Sequence, residues 1–243
     1  MKNLCADASE RSHLLKLVKL IRTKSLTGTQ AWSCFSQAPS TYSFTVKNVV
    51  KSFQFTIQER RTYERLRQTA QRKLFDKFGR SCVYCRRPVG HYGYSWHIEH
   101  VLPKSIYSSS TFNFSNLAIG CVDCNRWKGV RVDPHVKNRS LPIINPLASD
   151  FEYSKHLRFL QINTEDLSFV KYHQVSKEGN DTFKLLSFSE IERAVAIDSI
   201  DGFTADLHSR LSSALSIASS IEDGQDLIEL LGTLKSSMYR RAR

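Results

Sequence analysis

Two Cys-x-x-Cys pairs, Cys82-Val-Tyr-Cys85 and Cys121-Val-Asp-Cys124, stand 35 residues apart, while Cys5 and Cys34 are isolated. Nothing else in the chain restricts its fold so strongly. Each pair can close a turn that offers two thiolates to one ion, and two such turns complete the tetrahedral four-sulfur site that zinc occupies. Redox chemistry and chance are the competing readings. In a chain expected to be cytosolic such pairs more often hold metal than disulfides, and matched spacing argues against accident. With Cys82, Cys85, Cys121 and Cys124 as ligands, the chain between the pairs has to leave one point and return to it. That stretch exceeds the roughly 15–20 residues of a plain zinc ribbon, so the expectation is an inserted element clamped at its base.

The insert is rich in chemistry. Residues 96–105 read "WHIEHVLPKS", with His97, Glu99 and His100 ahead of Pro103 and Lys104. Further on, "NFSNLAIGCVDCNRWKG" places Asn116 before a short apolar run and Asn125 directly after the last cysteine. The order C-x-x-C, E-H-V-L-P-K-S, N-L, C-x-x-C-N-x-x-K-G resembles the HNH nucleases that have a ββα-metal core and a structural zinc. The resemblance runs from Cys82 to Val130 and leaves both flanks uncovered. It implies an α+β fold, a ββα-metal core clamped by a four-cysteine zinc site with mainly helical flanking regions. It also implies a DNA endonuclease that leaves a 5′-phosphate and a 3′-hydroxyl.

The residues suit that chemistry. One strand is expected from Trp96 to Leu102, ended by Pro103, which cannot donate to a ladder. A second is expected from Asn116 to Gly120, and then a helix carrying Cys124, Asn125 and Lys128. Phosphodiester hydrolysis needs an activated water, a Lewis acid on the phosphate and help for the leaving oxygen. His100 is the best general base, because a neutral imidazole takes a proton from water at pH 7. Glu99 and Asn125 offer hard oxygen ligands for one Mg²⁺ or Mn²⁺. In this family Asn116 would fix the loop that orients the base, without touching metal. Lys104, Arg126, Lys128 and Arg131 are the candidate phosphate contacts. Two departures stand out: Glu99 sits where Asp is common, and Asn125 where His is common, a change the family itself shows. His97 reads as a strand-surface histidine before an additional ligand, His91 as a loop residue with no role, and Trp127 as core before a base-stacking platform.

Charge divides the chain. Residues 1–140 hold 24 Lys and Arg against 8 Asp and Glu, whereas residues 141–243 hold 11 against 15. One half thus suits a polyanion and the other does not. In the basic half, Tyr63, Leu66, Ala70, Leu74 and Phe78 recur at helical spacing, and Gly79 suits the end of that helix. Arg60, Arg61, Arg65, Arg67, Arg72 and Lys73 share the other face, which is either merely solvated or turned to phosphate. An amphipathic helix is expected near the N-terminus, over Leu14 to Ile21. "TGTQAWSCFSQAPSTYS" reads as a loop, and "YSFTVKNVVKSFQFTI" as either a strand or a short helix. No apolar run approaches the ~18–20 residues of a membrane span, and the expectation is a cytoplasmic protein.

Three regions are therefore expected: 1–57, helical and irregular; 58–140, a basic helix with the zinc-HNH core; and 141–243, mostly helical, for assembly or partner binding. "VDPHVKNRSLPIINPLASD" reads as an extended connector, "LRFLQINTEDLSFVKYHQV" as strands, and Asp206 to Met238 as helical. The run "INPLASDFEYSKHLRF" after the core is similar to the HNH subunits of two-component Septu-type defence systems, which implies an ABC-type ATPase as partner and an antiviral role. Two rivals remain: a non-catalytic zinc module that binds nucleic acid, and an HNH restriction or homing nuclease.

Overall fold

The structure, a computed structural model, describes residues 1–90, 93–163, 168–197 and, beyond these, 210, 211, 213, 214 and 217. His91 and nearly all of the Asp206–Met238 stretch lie outside the described residues. The chain divides into two units, Met1–Phe151 and Glu152–Arg243.

In the first unit, α1 (Ala8–Arg22) begins where the Asp7 side chain accepts from the Glu10 amide. It buries Leu14, Leu17 and Ile21, the apolar stripe read from the sequence. The segment expected as a loop contains a helix instead, α2 (Gly28–Gln37). Its Ser and Thr content conceals a capping box, in which Thr27 accepts from the Gln30 amide and the Gln30 side chain accepts from the Thr27 amide. The buried face consists of Gly28, Ala31, Cys34 and Phe35, at three- and four-residue spacing.

The ambiguous stretch is a two-stranded antiparallel hairpin, β1 (Thr41–Val46) and β2 (Val49–Gln54). Lys47 and Asn48 both take positive φ at its turn, the geometry that matches strand twist in two-residue loops. The long helix α3 (Ile57–Phe78) starts on a second capping box, Thr56 with Glu59, and ends at Gly79 in the left-handed region as expected. Tyr63, Leu66, Ala70 and Leu74 are fully buried. Its arginines are less available than the pattern suggested. Arg60 and Arg67 donate to the Ala38 and Ser36 carbonyls at the end of α2, and Arg65 is held by Glu10 and the Leu4 carbonyl. Arg61, Arg72 and Lys73 remain exposed.

β3 (Trp96–His100) and β4 (Leu117–Cys121) form an antiparallel pair in which Glu99 faces Ala118 and His97 faces Gly120. The first strand stops two residues short of Leu102, for a visible reason: the Leu102 amide and carbonyl are both taken by the Asn116 side chain, at 2.8 and 3.0 Å. The helix α4 (Val122–Arg131) follows directly. The expected connector carries a short 3₁₀ turn at Asp133–His135 and a bridge from Lys137 to Ser140.

In the second unit, β5 (Leu157–Asn163) and β6 (Ser168–Gln174) make a hairpin, as the alternation predicted. Two helices follow, α5 (Lys177–Leu185) and α6 (Phe188–Ile197). Tyr172 and Phe188 pack at 4.5 Å between ring centroids, and Glu192 accepts from the Tyr172 amide.

Candidate metal centre and active-site cleft

The four cysteines meet. Their sulfur atoms all lie within 4.8 Å of one another and all four residues are buried. The Cys85 and Cys121 sulfurs are 3.7 Å apart, close to the ~3.8 Å edge of a tetrahedron built on Zn–S bonds of about 2.3 Å. The donor set and its dimensions fit zinc. Local folding explains the arrangement: Cys82 and Cys85 sit in a turn closed by the Arg86 amide on the Cys82 carbonyl, and the Val83 amide donates to Ile119 in β4. Cys121 ends β4 and caps α4, its sulfur accepting from the Cys124 amide. Arg87 was not picked out from the sequence. It is buried, lies 3.5 Å from the Cys85 and Cys121 sulfurs, pairs with Asp123 at 2.7 Å and stacks on Tyr94. A guanidinium in that place offsets the negative charge of four thiolates.

A cleft of about 260 Å³ is lined by residues that include His97, Glu99, His100, Lys104, Asn125 and Asp133. β3 supplies the first three, and α4 turns Asn125 towards them. Gly120 makes the approach possible. A Cβ there would stand 3.2 Å from the Glu99 Cβ and 3.9 Å from the Asn125 Cβ, so both side chains start beside one spot. The Asn125 amide nitrogen donates to His97 Nδ1 at 3.1 Å. His97 therefore orients Asn125 and leaves its Oδ1 for another partner. Two hard oxygen donors, from Glu99 and Asn125, suit a small divalent cation.

His100 is buried, and its Nε2 lies 3.1 Å from the Thr111 carbonyl. A carbonyl only accepts, so Nε2 carries the proton and Nδ1 is the basic nitrogen. Burial, with the Lys104 ammonium second, pushes the imidazole pKa down to about 3, so the ring is neutral at any working pH. Asn116 clamps the loop between β3 and β4: beyond its two bonds to Leu102 it donates to the Ser110 carbonyl.

Lys128 corrects the sequence reading. Expected to meet phosphate, it is 1% exposed. Its ammonium lies 2.8 Å from Glu99 Oε1, 2.6 Å from Asp133 Oδ1 and 3.0 Å from the His100 carbonyl. All three protons are used inside the protein. Burial raises the Glu99 carboxyl above its ordinary range, and Lys128 opposes that shift. The other three candidates are placed differently. Lys104 borders the cleft, and Arg126 and Arg131 lie 5.1 and 3.9 Å from the Trp127 ring. Trp127, expected in the core, is half-buried on α4.

A family model described as HNH endonuclease matches residues 82–131. The chain carries an HNH endonuclease domain. No curated protein and no solved structure matches the chain. The match covers the cysteine cluster, β3, the clamped loop, β4 and α4, and HNH domains are domains of nucleases that work with divalent metals. Apart from Asp133, just past the matched span, the cleft residues outside the HNH domain are Thr29 and Trp32 of α2. Sequence reading missed them along with the helix. Asp133 and Thr111 were also missed, since an isolated aspartate and a backbone carbonyl leave no pattern. No helix among the described residues is long and apolar enough to cross a membrane.

Proposed function

We propose that the protein is a zinc-stabilised, metal-dependent endonuclease that hydrolyses DNA phosphodiester bonds. The observation that carries this reading is the shared cleft of Glu99, His100 and Asn125 beside a four-sulfur site. Glu99 and Asn125 would hold a Mg²⁺ or Mn²⁺ ion, which would supply a Lewis acid for a phosphate oxygen. His100 Nδ1 takes a proton from water, whose oxygen attacks phosphorus as the bond to the 3′ oxygen breaks, and the departing 3′ oxygen takes a proton from solvent. The products are a 5′-phosphate and a 3′-hydroxyl. Thr111 holds the imidazole by Nε2 throughout, and Asn116 holds the loop that carries Thr111. Lys104, Arg126 and Arg131 meet the substrate backbone.

The biological setting is a bacterial anti-phage complex in which an ABC-type ATPase is the partner. The Asn-Pro-Leu segment after the HNH domain and a separate second unit, in the half with excess acid, support that setting. The rival, a zinc module that only binds nucleic acid, has no use for a buried neutral base beside oxygen ligands.

Plasmid nicking with Mg²⁺ or Mn²⁺ tests the chemistry. We expect EDTA to abolish it and His100→Ala to lower the rate by ~10² or more. Nicking by that variant at the wild-type rate would remove His100 as the base. Co-purification of an ATPase subunit tests the setting.

A further inference from the structure

We propose that α2, outside the HNH domain, is one wall of the catalytic cleft, and that Trp32 is a positioning residue that fixes the angle of the His100 imidazole. The inference rests on the assignment of His100 as the base. The Trp32 and His100 rings meet edge to face, 4.4 Å between centroids at 89°. The bond to Thr111 holds one corner of the imidazole. It does not by itself set the ring plane, because the outer torsion of a histidine side chain is broad. A perpendicular indole at van der Waals distance removes that freedom. It also closes one side of the ring to water.

Trp32 is itself fixed. It packs on Phe35 at 5.1 Å and on Phe112 at 6.0 Å, and these two meet at 5.5 Å. Phe112 follows Thr111, the residue whose carbonyl holds His100, so both restraints on the base reach it from one assembly. The helix is pressed onto the loop. A Cβ on Gly28 would overlap the Lys104 carbonyl and stand 2.6 Å from Thr111 Oγ1 and 3.0 Å from Ser108 Cα. Any larger residue there would lift α2, and Trp32 with it, away from the base. Thr29, one turn before Trp32's position, also borders the cleft.

The test uses the full-length protein and compares Trp32→Phe, Trp32→Leu, His100→Ala and the Trp32→Leu/His100→Ala double variant in plasmid nicking, with zinc content measured for each. We expect Trp32→Leu to lower kcat by ~10- to 100-fold, since a small misplacement of a catalytic group costs that much. Its KM should stay within about threefold of wild type, and Trp32→Phe should recover most of kcat. The double variant should be no slower than His100→Ala, because the indole acts through the imidazole. All should keep their zinc. A leucine variant at the wild-type kcat overturns the inference, as does a loss confined to KM, a loss equally large in Trp32→Phe, an additive double variant, or loss of zinc in Trp32→Leu. Full activity in His100→Ala is a separate failure, one that overturns the base assignment first.

Discussion

At Lys128 a cation expected to meet phosphate is drawn inside by two carboxylates and a carbonyl. The reason is proximity along α4: Lys128 follows Asn125 by one helical turn and so lies under the strand that carries Glu99. Removing one partner of a buried pair leaves the other charge uncompensated. Lys128→Met should therefore cost about 3–5 kcal/mol in urea unfolding. Unchanged stability together with weaker DNA binding would return the residue to the substrate. Individual residues at this scale were readable as types, and their roles less so. Glu99, His100 and Asn125 are legible because the distances among them are set by one strand and one helix. The partners of Lys128 are not, because Asp133 lies beyond the helix and reaches it through a turn.

Among the elements, α3 has the clearest electrostatic signature. Glu59 closes the capping box at its start and meets Lys16 of α1 at 2.8 Å. Burial alone would raise this carboxyl, but the hydrogen bonds from Lys16 and the Thr56 amide bring it below its ordinary value. A carboxyl with a lower pKa in the folded state stabilises the protein above its unfolded pKa, and that stability disappears as pH falls through the folded value. The dependence on pH below about 4.5 should be shallower in Glu59→Gln than in wild type. Lys16 is 38% exposed, so the effect should be about 1 kcal/mol, measured by chemical unfolding at several pH values. An equal slope in both proteins would show that the pair does not set acid stability. The same scale explains the errors of element assignment. Composition hid α2, although Thr27–Gln30 and the Ala31, Cys34, Phe35 spacing were available signals. The β1–β2 hairpin was undecided because its turn is Lys-Asn in place of the usual Asn-Gly.

For the whole molecule, the cysteine site, the cleft and α2 all belong to the unit Met1–Phe151. A fragment of residues 1–151 should fold, bind one zinc and nick plasmid within about threefold of the full chain's kcat. Loss of zinc or activity would assign part of the site's support to Glu152–Arg243. The sequence by itself determined the ligand set, the order of the ββα elements and the candidate base. These are short-range matters: two turns, a hairpin pair and a helix whose geometry follows from spacing. Tertiary structure alone decided which cations stay on the surface, what holds the imidazole and which distant helix walls the cleft. Burial and ring packing depend on segments far apart in the chain, and no local periodicity records which of them will touch.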